Sequence, residues 1–149
     1  MERYSVIIKK FPREFILLQG TGCRWGKCTF CDYHTDTSSD PYLVNREVLD
    51  RVTGEYGVLD VINSGSCFEL DGQTIAYLQN IVKKLSIHTL WFEVHWMYRN
   101  RLEEFVKLFP GVNVKFRCGV ETFDTQLRKK WSKGIPEDVE ARHIARYFQ

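Results

Sequence analysis

Short apolar runs and amphipathic stretches take turns along this chain, and that rhythm narrows the folds open to it more than any other property. The runs Phe15 to Leu18, Val58 to Ile62, Leu90 to Val94 and Val112 to Phe116 are rich in β-branched or aromatic residues and bounded by turn-forming residues, the pattern of strands. Helical spacing fills each gap: Val48, Leu49 and Val52, then Ile75, Leu78, Ile81, Val82 and Leu85, then Leu102, Phe105, Val106 and Phe109. After the fourth run, Asp124 is placed to cap a helix that carries Leu127 and Trp131 and ends at Gly134, and Pro136 opens one more helix running toward Phe148. Parallel strands need a crossover rather than a tight hairpin, so this order predicts an α/β fold, a parallel sheet with helical crossovers. Runs that are apolar nearly throughout predict a sheet covered on both faces, though Asp60 and Glu93 interrupt them.

A chain of 149 residues can bury one core of its own, so a single domain over 1–149 with at least four βα units is expected, and no disulfide framework is needed. Because the last element read is a helix, either a short open sheet or the loss of final βα units is expected. A net charge of +2 without a clustered basic face argues against a nucleic-acid partner. The densest basic run, Arg128, Lys129 and Lys130, reads as a solvated helix face. Lys9, Lys10, Arg13 and Glu14 break up the apolar start, which therefore lacks the form of a signal peptide, and no apolar run approaches the roughly 20 residues that cross a bilayer. A cytoplasmic protein without a membrane partner is expected.

The stretch TGCRWGKCTFCDYH places Cys23, Cys28 and Cys31 within one loop, between the first strand and the first helix. That is the carboxyl edge of the sheet, where parallel α/β proteins bind ligands. Gly20, Gly22 and Gly26 give the loop freedom to wrap three sulfurs around one centre. Two kinds of centre compete. Structural zinc needs four ligands and would recruit His34. An iron-sulfur cluster suits thiolates, which are soft ligands, and three of them on four irons leave one iron open to a ligand. The remaining cysteines, Cys67 and Cys118, read as buried small apolar residues. A ferredoxin-like carrier would need a fourth cysteine, for which Cys67 is the candidate.

The cysteine triad in the loop after the first strand resembles the radical S-adenosylmethionine (radical SAM) superfamily, whose members carry it on a partial (β/α)6 barrel. The four-residue first gap, CRWGKC, is one longer than the common spacing and resembles a branch with that wider gap, while CTFC keeps the aromatic as Phe30. Ser64, Gly65 and Ser66 lie where the superfamily has a glycine-rich motif, FEVHW places Glu93 like a glutamate of the coproporphyrinogen dehydrogenase branch, and GVETFD is similar to that branch's GVQSFD segment.

What the resemblance implies is a 4Fe-4S cluster on Cys23, Cys28 and Cys31, with Phe30, Ser64, Gly65, Ser66, Glu93, Glu121 and Lys133 positioning S-adenosyl-L-methionine. Lys133 stands where the family usually has arginine, a point charge in place of a fork, and Arg117 is the alternative. A one-electron donor of flavodoxin or ferredoxin type would reduce the cluster, and the 5′-deoxyadenosyl radical so made would abstract hydrogen from a small molecule. A lyase that breaks a carbon–nitrogen bond in a 7-deazaguanine base is the expected outcome, with the rest of the pocket supplied by the remaining residues or by a second subunit in a homo-oligomer.

Overall fold

Strands form where the apolar runs lie, and their ends share one edge. The computed structural model describes residues 1–136 and His143. It holds one five-stranded sheet in the order β1 (Tyr4–Ile7), β2 (Arg13–Leu18), β3 (Val58–Asn63), β4 (Thr89–Glu93) and β5 (Asn113–Arg117). β2 through β5 are mutually parallel, joined through α1 (Pro41–Leu49), α2 (Gly72–Lys84) and α3 (Leu102–Val106), and α4 (Thr125–Lys130) follows β5. The parallel α/β class expected from the rhythm is therefore present as an open, partial barrel. The Pro136-to-Phe148 helix lies outside the described residues beyond Pro136.

β1 was not among the expected strands. It pairs antiparallel with β2, Tyr4 opposite Ile16, because the five residues between them permit a hairpin and no crossover. Lys9, Lys10 and Pro12 hid it by interrupting the apolar run, yet they form the turn itself, with Lys10 at φ +64°. The helices start where side-chain carboxylates meet their first free N–H groups: Asp71 accepts from the Thr74 N–H at 2.8 Å and Asp124 from that of Leu127 at 3.0 Å.

Apolar burial lies between the sheet and the helices, with Ile16, Leu18, Leu59, Leu78, Leu90 and Phe92 wholly inaccessible. The other face differs from expectation. In β2 the residues Glu14, Ile16 and Leu18 are buried while Arg13, Phe15 and Leu17 are only half-buried, so the sheet is covered fully on one side and the concave side opens to a cavity. Another departure concerns Arg128, read as solvated: it is 2% exposed, and its Nη1 donates to the Thr122 carbonyl at 2.8 Å, drawing the guanidinium back under the turn that precedes α4. Among the described residues no helix is long and apolar enough to cross a membrane.

Asn45, on α1 and fully buried, fixes the exit of β2. Its Oδ1 accepts from the Gln19 N–H at 2.6 Å, and its Nδ2 donates to the Gln19 carbonyl at 2.8 Å and to Thr74 Oγ1 at 3.0 Å. Asn45→Ala orphans both backbone polar groups of one buried residue, Gln19, so urea denaturation is expected to show a loss of about 2–3 kcal/mol.

Candidate active site at the carboxyl edge of the sheet

The loops leaving β2, β3, β4 and β5 surround a cavity of about 700 Å³. The loop after β2 carries the three cysteines and is tied down by Glu69, a buried carboxylate on the loop after β3. Its Oε2 accepts from the Ser66 N–H at 2.7 Å, and its Oε1 accepts from the Arg24 N–H at 2.8 Å and from the Tyr98 hydroxyl at 2.9 Å. The Glu69 carbonyl takes the Thr21 N–H at 2.7 Å. A buried charge with three donors is stable where an unpaired one would not be. Burial, with this hydrogen bond next, pushes the Tyr98 phenol up to about 12.

A second set of contacts ties the cysteine loop to the segment after α4. Trp25 Nε1–H donates to the Ser132 carbonyl at 2.7 Å, and Thr29 N–H to that of Trp131 at 3.1 Å. Phe30 meets Trp131 edge-on at 5.6 Å, with Lys133 Nζ 5.6 Å from the Phe30 ring. Gly134 permits the approach, since a Cβ there would lie 2.4 Å from the Trp25 ring. His95, on the loop after β4, stacks on Trp25 at 5.2 Å. Its Nε2–H donates to the Lys133 carbonyl at 2.6 Å and its Nδ1 accepts from the Met97 N–H at 3.2 Å, so both ring nitrogens are committed. Burial holds its pKa below the ordinary histidine value, and the neutral ring acts as a brace.

The serine–glycine–serine triplet divides its duties. Ser64 faces away from the cavity, its buried Oγ accepting from the Gly20 N–H at 2.7 Å, while Ser66 Oγ accepts from the His95 N–H at 2.8 Å. Gly65 lets backbone meet backbone: a Cβ there would lie 2.1 Å from Glu69 Oε2 and 3.2 Å from Cys23 Cα. Beside it Asn63, 1% exposed and lining the cavity, donates Nδ2–H to the Ser66 carbonyl at 3.0 Å while its buried Oδ1 has no partner.

Across the cavity, Lys133 Nζ pairs with Glu121 Oε1 at 2.8 Å. A Cβ on Gly119 would sit 2.5 Å from Glu121 Oε1 and 3.2 Å from Lys133 Nζ, so glycine makes room for this pair. Glu121 itself adopts φ +66°, an uncommon conformation for a residue with a side chain. Arg117 does not hold its fork free. Its Nη1 and Nη2 donate to the two carboxylate oxygens of Asp60, which is fully buried, and Nη2 lies 3.8 Å from Glu93 Oε1.

Cys23, Cys28 and Cys31 all line the cavity, together with Phe30, Gly65, Ser66, Glu93, Arg117, Glu121 and Lys133; Ser64 alone of the residues expected at the site stands behind it. Gly26, at φ +53°, directs its N–H to Cys23 Sγ at 3.4 Å. Burial pushes the Cys28 thiol up, against the pull of Lys133. His34 also lines the cavity. A four-iron cube takes each thiolate at a separate corner, so three half-buried sulfurs spread around one cavity suit a cluster.

Cys67 is 1% exposed, as expected of a core thiol, and stands apart from the cavity lining. Cys118 differs from expectation. It is half-buried on the cavity wall because β5 ends at Arg117, and burial pushes its thiol up to about 11.

No protein-family model matches this chain, and no curated protein matches it. Among solved structures it is similar, at 38% identity and a TM-score of 0.92 over the whole of this chain, to one of which it covers 66%. The chain shares that structure's fold, with the cysteine triad on the loop after the first parallel strand of an open α/β sheet. The similar structure is the queuine lyase from Clostridium spiroforme bound to SAM and queuine, and the chain spans just under two thirds of that protein's length.

Glu69, Trp25 and Asn63 were not among the residues singled out from sequence. Only Glu69 had a signal there, the Ser66-to-Glu69 spacing of a capping box, of which the structure makes the half in which Glu69 Oε2 accepts from the Ser66 N–H at 2.7 Å. Glu69→Ala is expected to cost about 3 kcal/mol in urea denaturation, because it orphans buried donors. It is also expected to bring the Tyr98 phenol down from about 12 toward the ordinary tyrosine value in a spectrophotometric titration. The native phenol stays protonated where the unfolded one ionises, so its contribution to stability is present below about pH 10 and is lost as the pH rises toward 12.

Proposed function

We propose that this chain is a radical SAM enzyme, cytoplasmic and reduced by a flavodoxin- or ferredoxin-type donor, that acts as a lyase on queuine or a closely related 7-deazaguanine base. The observation that carries the reading is the gathering of three cysteines from one loop on a cavity that four strand ends enclose, in a chain so similar to a lyase solved with SAM and queuine. Cys23, Cys28 and Cys31 hold a 4Fe-4S cluster, and with S-adenosylmethionine bound this group supplies the electron and the hydrogen-abstracting chemistry.

The chain's own residues bind and orient. Asn63 Oδ1, a buried acceptor without a partner, suits an N–H of the cofactor or substrate. Gly65 and Gly119 lack the Cβ that would strike Glu69 and the Glu121–Lys133 pair, so these side chains keep their places around the cavity. Lys133, steadied by Glu121, offers a cation for a carboxylate, and Phe30 offers a flat apolar face beside it. Ser64 and Ser66 act from behind by holding the neighbouring loops, and Glu93 presents a carboxylate to the cavity.

Anaerobic reconstitution is expected to give a brown protein with about four irons per chain that, under a strong reductant, forms 5′-deoxyadenosine from S-adenosylmethionine. Cys28→Ala is expected to abolish both, whereas His34→Ala keeps the chromophore. A colourless protein holding one zinc ion would overturn the reading. Dependence of 5′-deoxyadenosine formation on added queuine tests the substrate separately. Lys133→Ala is expected to weaken S-adenosylmethionine binding about tenfold, measured by titration calorimetry, as the loss of one charged hydrogen-bond donor implies.

A further inference from the structure

Asp60 interrupts an otherwise apolar strand, and nothing in the binding of a cluster or cofactor calls for it. It lies on β3, fully buried, with Phe15 of β2 and Trp91 of β4 as its neighbours in register. Arg13 Nε donates to its Oδ2 at 2.9 Å from β2, and from β5 Arg117 donates Nη1 to Oδ2 at 2.9 Å and Nη2 to Oδ1. The contact with Arg117 is a two-point fork, which fixes the plane of the guanidinium as a single bond would not. Arg117 thereby ends with Nη2 3.8 Å from Glu93 Oε1, within Coulombic reach but beyond a hydrogen bond.

We propose that Asp60 is a positioning residue: by taking both ends of the Arg117 fork it keeps that cation from closing on Glu93, and so leaves Glu93 as the proton-exchanging group of the cavity wall. The charged groups facing Glu93 are few. Arg117 comes from β5, Asp60 from β3, and Lys133 and Glu121 from the segments beyond α4 and β5, where they are paired with each other. His95, two residues on, is occupied at both ring nitrogens. Burial is the largest influence on Glu93 and favours its neutral form, Arg117 opposes it, and Asp60 offsets Arg117. A carboxylate closed on by a full fork would be a fixed anion; one held at 3.8 Å can take up a proton from a ligand and return it.

The inference rests on the proposed function for what Glu93 meets, and the test separates the two. Protein carrying glutamate labelled with carbon-13 at the side-chain carboxyl is titrated by NMR, with Glu93→Gln assigning the resonance. In Asp60→Asn the released fork is expected to turn to Glu93 and lower its midpoint by about one pH unit. In Arg117→Gln the loss of the cation is expected to raise it by about as much. Opposite shifts support the proposal; an unchanged or raised midpoint in Asp60→Asn overturns it. Should Asp60→Asn fail to fold, Arg117→Gln decides alone, and an unchanged or lowered midpoint there overturns it. The pH profile of 5′-deoxyadenosine formation by the cluster-loaded protein is expected to move its acid limb in the same directions. Absence of that activity with the NMR shifts intact would count against the proposed function and leave the Asp60 assignment standing.

Discussion

Glu69 puts a negative charge beneath the edge of the sheet, and three loops turn their donors toward it. The Arg24 N–H arrives from the cysteine loop, the Ser66 N–H from its own turn and the Tyr98 hydroxyl from beyond β4. Three flexible segments thereby acquire one common origin, and the position of Cys23 follows from it, since Gly65 brings the two backbones into contact at the same point. A loop rich in glycine has little rigidity of its own, so the sulfurs can be held in place only by what the loop is tied to. That tie is electrostatic and buried, which makes it strong and specific to this arrangement of donors.

The sheet does not close, and the cavity needs walls on the open side. Part of that closure comes from the segment after α4, where Ser132, Trp131 and Lys133 meet Trp25, Thr29 and Phe30. Aromatic faces and two backbone carbonyls bridge a gap that no strand among the described residues spans. His95 joins both sides of this seam, braced by Ser66 on one side and by the Lys133 carbonyl on the other. The cavity is therefore bounded by loops anchored to one another as well as to the strands that carry them.

Charge is arranged in two tiers. In one, Arg13 and Arg117, both partly exposed, turn to the buried carboxylate of Asp60. In the other, at the cavity wall, Glu121 and Lys133 pair at 2.8 Å while Glu93 has the Arg117 fork at 3.8 Å. Such a division leaves the first tier to shape and the second to ligands, and the orphan acceptor of Asn63 belongs with the second.

Much of this was legible without coordinates. Hydrophobic rhythm determined the parallel α/β order, since side-chain periodicity reports local structure directly, and capping carboxylates such as Asp124 marked helix starts through contacts three residues long. The cysteine spacing determined that three sulfurs share one loop. Where reading failed, the cause was a contact that only folding makes: Arg128 looked solvated because the Thr122 carbonyl is reached only by folding the turn back, and Ser64 looked like a ligand contact until Gly20, 44 residues away, occupied it. The tertiary structure alone decided that Arg117 spends its fork on Asp60, 57 residues away, and that Trp25 meets Ser132 across 107 residues. Periodicity and spacing encode what neighbours along the chain must do; which buried charge finds which partner depends on strands brought side by side, and no local pattern carries that information.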